Sequence, residues 1–141
     1  TSPPPQMTAF DAPSRETCRM RRERTNTPLQ ALLLMNEPQY VEAARALAER
    51  TIREGGKSPE ERVAYMFRLA AARLPDPAEL AELVACYTDN VANYSKNPEA
   101  AQQLIAVGET KPDATLDAGQ LASFTMVANL VLNLDEVLTK E

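Results

Sequence analysis

The chain of 141 residues contains no histidine and no tryptophan, and its only cysteines are Cys18 and Cys86. Without histidine, the chain has no His-containing zinc site, no histidine general base, no serine or cysteine triad of the usual kind and no C-x-x-C-H haem attachment. No run of about 18 apolar residues and no signal-peptide pattern occurs in it. We therefore expect no membrane span and no catalytic, cofactor-binding or metal site in this segment.

The two cysteines allow two interpretations. They fall in different predicted elements, so a disulfide between them and two unpaired core residues are both open. Arg19 lies next to Cys18, and a nearby positive charge favours the thiolate. Because no histidine or second cysteine is close in the sequence, a structural or disulfide role for Cys18 is the preferred hypothesis.

Charge is unevenly distributed along the chain. The whole chain has 15 basic and 20 acidic residues and a net charge of −5, which argues against a whole-domain nucleic-acid binder. Yet residues 15–24 carry a local charge of +3, since five arginines outnumber Glu16 and Glu23. We call these five the arginine strip: Arg15, Arg19, Arg21, Arg22 and Arg24.

Helix starts are marked by a capping residue followed by proline. This pair occurs at Thr27-Pro28, Ser58-Pro59, Asp76-Pro77 and Asn97-Pro98. The proline loses no helical hydrogen bond at that position, and the preceding side chain accepts an unpaired N–H. Gln30, Glu61 and Glu79 are placed to complete capping boxes, and Asp117 with Gln120 predicts a further start. Glycines at 55, 56 and 108 predict helix ends.

Apolar residues recur at helical spacing after each start. In the segment after Pro38, one face is apolar, and the opposite face carries Glu42, Arg45, Glu49 and Arg53. Residues 121–138 are apolar almost all round, which predicts a central helix. We therefore predict an all-α fold, an irregular bundle of five to six helices over residues 26–141, with an extended basic arm at residues 1–25, where Pro3–Pro5 and Pro13 disfavour a helix.

Two sequence blocks resemble a known family. Residues 7–50 (MTAFDAPSRETCRMRRERTNTPLQALLLMNEPQYVEAARALAER) and the ending LASFTMVANLVLNLDEVLTKE are similar to the C-terminal domain of large exported proteins of planctomycetes and verrucomicrobia, the domain of unknown function fifteen-fifty-three. Proteins of that family often carry a cytochrome-c-like domain near their N-terminus. The resemblance implies a cell-envelope or exported location and a haem in an upstream part of the protein. It implies no catalytic residues.

We expect a non-catalytic C-terminal module, a fragment of a larger protein, that acts as a scaffold or intramolecular interaction domain and contacts the upstream domains. In one alternative, the arginine strip binds an anionic polymer, either a polysaccharide or a nucleic acid, of which the nucleic acid is the less expected partner. The preferred interpretation is that the strip pairs with Asp11, Glu16, Glu23 and other acids of its own protein, since charge runs rarely bind a ligand and the strip has no aromatic side chain for stacking. In a third alternative, the chain gives structural support to a carbohydrate-active or redox enzyme.

Overall fold

The computed structural model describes residues 28–138; residues 1–27 and 139–141 lie outside the described part. The predicted arm at 1–25 therefore lies outside it. Within residues 28–138 all regular structure is helical, which confirms the predicted all-α class. The helices are α1 (Pro28–Asn36), α2 (Pro38–Glu54), α3 (Pro59–Ala71), α4 (Pro77–Lys96), α5 (Pro98–Ile105), α6 (Ala118–Leu132) and α7 (Asp135–Leu138).

The capping residues act as the sequence predicts. Ser58 accepts from the Glu61 N–H at 3.2 Å, while the Glu61 carboxylate accepts from the Ser58 N–H at 3.1 Å. Asp76 and Glu79 form the same reciprocal pair before α4, with both bonds at 2.8 Å. The remaining caps are single bonds, from the Ala100 N–H to Asn97 and from the Gln120 N–H to Asp117. Thr27, the cap proposed for α1, lies outside the described residues.

Helix α6 is the centre of the bundle. It packs against α2, α4 and α5 most extensively, and Leu121, Phe124, Val127 and Val131 have no exposed surface. The ring of Tyr87 from α4 stacks on Phe124, with centroids 4.3 Å apart. Apolar side chains of α2 and α3 complete the core: Ala44, Ala48, Ile52, Val63, Met66 and Phe67. A helix that is apolar on nearly every side requires such a surrounded position.

The central helix is shorter than predicted. It ends at Leu132, and the last turn of the predicted 121–138 helix is the separate helix α7. The break is a tightened turn, because the N–H groups of Asn133 and Leu134 donate to carbonyls three residues back, at 3.1 and 3.3 Å. The Leu134 carbonyl then starts α7 by accepting from Val137 and Leu138.

Candidate functional site

The arginine strip, Cys18 and Asn26 all lie outside the described residues, so their predicted roles stay predictions. Within residues 28–138, the charged side chains that make the densest contacts lie elsewhere. They form two arginine-centred clusters, one on α2 and one between α3, α4 and α7. An open groove and one exposed apolar face complete the candidate sites.

The first cluster lies on the polar face of α2, which the structure places against a loop. Arg45 is 2% exposed, and its guanidinium faces the loop of residues 106–117. Nη1 donates to the carbonyls of Ile105 and Val107, the latter at 2.9 Å. Nη2 donates to the carbonyl and hydroxyl oxygens of Thr110, at 2.8 and 2.7 Å. We call this arrangement the Arg45 clamp.

A guanidinium suits this buried position because it carries several N–H donors in a fixed plane. Ile105 ends α5, so the positive charge also lies at the negative end of that helix dipole. Two carboxylates of α2 flank the guanidinium, Glu42 at 3.7 Å and Glu49 at 3.8 Å. The buried charge therefore has both hydrogen-bond acceptors and counter-charges.

Glu42 holds the same loop from a neighbouring position. Its carboxylate accepts from the N–H groups of Glu109 and Thr110, at 3.0 and 2.9 Å, and from the Thr110 hydroxyl. The Thr110 hydroxyl, then the two N–H groups and finally the charge of Arg45 lower the pKa of Glu42 to about 2. Gly108 has φ +105°, a left-handed conformation that brings the loop backbone close to Glu42.

The far end of the loop is fixed in the same way. Glu49 accepts from the Asp113 N–H at 3.2 Å, and Arg53 pairs with the Asp113 carboxylate. The hydroxyl and N–H of Thr115, followed by Arg53, lower the pKa of Asp113 to about 2. The polar row of α2 therefore binds the loop along its whole length, through backbone groups at Glu42, Arg45 and Glu49 and through the Asp113 side chain at Arg53.

The second cluster is centred on Arg73, which follows α3. Its guanidinium binds Glu79 of α4 through Nη1 and Nη2, at 2.8 and 2.7 Å. It also binds Glu136 of α7 through Nε and Nη2, at 3.0 and 2.7 Å, and lies 4.7 Å from the Phe67 ring centroid. These carboxylates raise the pKa of Arg73, and the bonds from Arg73 and from the Asp76 N–H lower the pKa of Glu79 to about 2.

This Arg73 clamp joins three helices at the surface. The sequence pattern predicts Glu136 as a surface or capping residue, and the structure places it at the surface, bound by Arg73. Asp135 and Glu136 lie in the first turn of α7, where negative charge favours helix formation. Nothing in the local sequence indicates the pairing with Arg73, because the two residues are 63 positions apart.

The groove lies between the end of α2 and one side of α3, and it extends to the loop after α3. Its volume is about 390 Å³, and its lining is Glu54, Gly55, Gly56, Glu61, Ala64, Tyr65, Arg68 and Leu74. Its carboxylates are already hydrogen-bonded to the chain: Glu54 accepts from Tyr65 and Arg50, which lower its pKa, and Glu61 accepts from the N–H groups before α3. Among residues 28–138 no cluster of acidic or cysteine side chains has the arrangement of a metal site.

The exposed apolar face belongs to α1. Leu29, Leu32 and Met35 are 62%, 58% and 37% exposed, while Gln30 on the opposite side is buried. At 100° per residue, the three apolar side chains lie within about 120° of one another. The Asn129 side chain of α6 donates to the Met35 carbonyl at 3.1 Å, so α1 is fixed to the bundle at its C-terminal end. Helix α1 contains no charged residue.

Comparison with known families assigns the chain to one of them. Residues 1–87 match the model of the family PSD1, described as "Protein of unknown function (DUF1553)". The chain belongs to this family. The match confirms the resemblance seen in the sequence, and it includes the arginine strip and α1 to α3, whereas the second resembling block lies beyond it. No curated protein and no solved structure matches the chain.

None of the helices described is both long and apolar enough to cross a membrane. Cys86 is half-buried; its surroundings raise the pKa of its thiol, chiefly through burial, and its Sγ lies 3.4 Å from Nδ2 of Asn90. The pairing of Cys86 with Cys18 stays open, because Cys18 lies outside the described residues.

Proposed function

We propose that this chain is a non-catalytic helical module of a larger DUF1553 protein, acting as a scaffold or intramolecular interaction domain. The observation that carries the proposal is the Arg45 clamp. The most buried ionisable side chain of the described bundle is enclosed and binds loop backbone, so its charge serves structure. Catalytic groups, by contrast, lie in clefts where a substrate reaches them.

The proposal places the module in an exported or cell-envelope protein and assigns haem to a separate, upstream domain. Its support is the family membership together with the absence of a C-x-x-C-H sequence in this chain. The absorption spectrum of the purified parent protein tests the haem assignment. A Soret band that is lost when the upstream domain is deleted supports it, and a spectrum without haem contradicts it.

Amide hydrogen exchange tests the interaction role. The isolated chain and the same chain within its parent protein are compared residue by residue. An interaction module gains protection over one contiguous surface in the parent protein, while the central helix α6 exchanges slowly in both samples. Identical exchange over residues 28–138 in the two samples would contradict the proposal.

A second function, anion binding through the arginine strip, is favoured by the segregation of charge. Residues 28–138 carry 16 acidic and nine basic side chains, a net charge of −7, against +3 for residues 15–24. Titration with heparin and with DNA tests it. Changing Arg21, Arg22 and Arg24 to Gln is expected to weaken a strip-mediated interaction, which depends steeply on salt. Equal affinity of wild type and variant would exclude the strip as the binding site.

The third candidate role is structural support of a carbohydrate-active or redox enzyme. It shares the scaffold observation and adds an activity located in the rest of the protein. The two roles are separated by measuring that activity in a parent protein in which this module is destabilised and the other domains stay folded.

A further inference from the structure

We propose that the groove between α2 and α3 holds an acidic, aliphatic peptide segment from the upstream domains of the parent protein. The inference deepens the proposed interaction role and rests on it, since it names the contact site and the chemistry of the partner. It is carried by two side chains that line the groove, Arg68 and the exposed Leu74. The guanidinium recognises a carboxylate, and the leucine recognises an apolar side chain beside that carboxylate.

Arg68 differs from the other arginines of the described bundle. Its guanidinium has no hydrogen-bond or ion-pair partner among residues 28–138, and it lies over the Tyr65 ring, 5.8 Å from the centroid. Each of the others donates to a carboxylate or a carbonyl oxygen of the chain: Arg45, Arg50, Arg53, Arg62 and Arg73. The contact with the ring favours one position of the Arg68 side chain and leaves its N–H donors available to an external acceptor.

Leu74 supplies the apolar part of the groove. At 65% it is the most exposed large apolar side chain of the described bundle, and it lines the groove together with Ala64 and Tyr65. Its carbonyl accepts from Nη1 of Arg73 at 3.1 Å, so the Arg73 clamp holds its backbone in place. The clamp therefore fixes an exposed leucine at the groove, where a partner would remove its surface from water.

The two acidic side chains of the groove are already occupied by the chain itself. Glu54 accepts from Nε of Arg50 at 3.0 Å and from the Tyr65 hydroxyl. Glu61 accepts from the two N–H groups that precede α3, at 2.8 and 3.1 Å. Among the described residues that line the groove, Arg68 is therefore the charged side chain left without a partner, and its charge favours an acidic ligand.

The size and lining of the groove favour a peptide over a sugar or a nucleic acid. Its volume of about 390 Å³ suits a few side chains of an extended segment, since ligand sites begin at roughly 300 Å³. Bases bind by stacking on open aromatic rings, whereas the Tyr65 ring already carries Arg68 on one face. An anionic sugar offers no apolar side chain to Leu74. An aliphatic residue next to a carboxylate uses both groups.

Zero-length cross-linking in the parent protein tests whether a carboxylate occupies the groove. Arg68→Lys replaces the guanidinium by an amine, which a carbodiimide joins to a carboxylate in contact with it. We expect mass spectrometry to find a link from position 68 to an acidic residue of the upstream domains. The exposed Lys96 on α4 should form no link to that acid. Links to Glu54 or Glu61 are identified in the isolated chain and subtracted.

Amide hydrogen exchange tests the contribution of the two side chains. The loops on either side of α3 should exchange at least about tenfold more slowly in the parent protein than in the isolated chain. Arg68→Gln with Leu74→Ser should abolish this difference. Lys96→Gln with Leu69→Ser is the matched control, because both side chains are exposed and neither lines the groove; it should keep the difference. Far-UV circular dichroism verifies that each variant is folded.

The outcomes separate this inference from the role on which it rests. Protection gained over another surface, with none at the groove and no link from position 68, would overturn the inference and leave the interaction role standing. No gain anywhere over residues 28–138 would overturn both. A link to a second copy of this chain, distinguished by isotope labelling, would identify self-association instead. Heparin binding that Arg68→Gln abolishes, without a link in the parent protein, would identify an anionic sugar as the occupant.

Discussion

Arg45 and Arg73 each join distant parts of the chain, but they do so in different surroundings. The Arg45 side chain is 3% exposed and binds mainly carbonyl oxygens, with its two carboxylates at 3.7 and 3.8 Å. The Arg73 side chain is 42% exposed and binds two carboxylates directly, each with a contact at 2.7 Å. Arg73 thus has the shorter ion pairs, and Arg45 has the greater burial.

We expect burial, and not the number of ion pairs, to decide which clamp contributes more to the free energy of unfolding. Water competes for the exposed Arg73 pairs and replaces them when they are lost, so such pairs contribute little. Removing Arg45 would leave the buried Ile105 carbonyl and the partly buried carbonyls of Val107 and Thr110 without this donor, and Glu42 and Glu49 without this counter-charge. We therefore expect the shorter ion pairs of Arg73 to contribute less to stability than the more buried bonds of Arg45.

Arg45→Met should produce the largest loss of stability. We expect the free energy of unfolding to fall by about 3 to 5 kcal/mol, because the substitution leaves buried polar groups unpaired. Urea denaturation followed by circular dichroism measures it. The control is Arg50→Met, one turn along α2, whose side chain is 56% exposed and pairs with Glu54; it should unfold close to the wild-type midpoint. Similar losses in both variants would refute the role of burial.

Gly108→Ala should have the next largest effect, because it acts on the loop that the Arg45 clamp holds. A Cβ there would lie 2.5 Å from the Glu42 carboxylate, in a left-handed conformation that alanine disfavours. We expect a cost of about 1 to 2 kcal/mol, measured in the same denaturation assay. Gly119→Ala is the matched control: its Cβ would come no closer than 3.4 Å to its neighbours, and α6 should tolerate it.

Arg73→Gln should lower the thermal midpoint less than either change, and the difference from wild type should shrink as salt is added. Exposed ion pairs are screened by counter-ions, whereas the buried Arg45 is much less affected. Thermal melts at low and high ionic strength provide the measurement. A salt-independent loss as large as that of Arg45→Met would show that the Arg73 clamp, despite its exposure, contributes as a buried cluster does.

We expect the smallest effect on stability from acidic pH. The pKa of Glu42 is lowered from 4.5 to about 2, so its contribution to stability is fully present above pH 4.5 and is lost as the pH falls toward 2. The pKa of Glu79, in the Arg73 clamp, is lowered over the same range. Glu42→Gln and Glu79→Gln should each flatten the fall of the thermal midpoint between these pH values. A pH profile parallel to wild type in either variant would contradict the assigned interaction.

The helix starts show how far local sequence reaches. Ser58, Asp76, Asn97 and Asp117 cap their helices as predicted, because capping depends on residues within one turn. The predicted length of the central helix was wrong. The apolar pattern of residues 121–138 continues through Asn133, where the helix itself is interrupted. The apolar and polar faces of α2 were predicted, but the loop that covers its polar row was not, because that loop is more than 50 residues away in the chain.

The interaction role predicted for the arginine strip stays a prediction. The exposed apolar face of α1 was not recognised from the sequence. Leu29 and Leu32 lie in a run of leucines that reads as core. A run of this kind does not reveal which side faces the bundle, because the orientation of α1 is set by its packing on α2 and α6.

The sequence by itself determined the helical class, the places where most helices begin, the central position of the apolar α6 and the family to which the chain belongs. Each of these depends on local hydrogen bonding, on periodic apolar spacing or on the motifs themselves. Only the tertiary structure decided that Arg45 is buried, that Arg73 joins α4 to α7 and that α1 presents leucines outward. These outcomes depend on contacts between residues far apart in the chain, and the physical cost of a buried charge or an exposed leucine exists only once those contacts have formed.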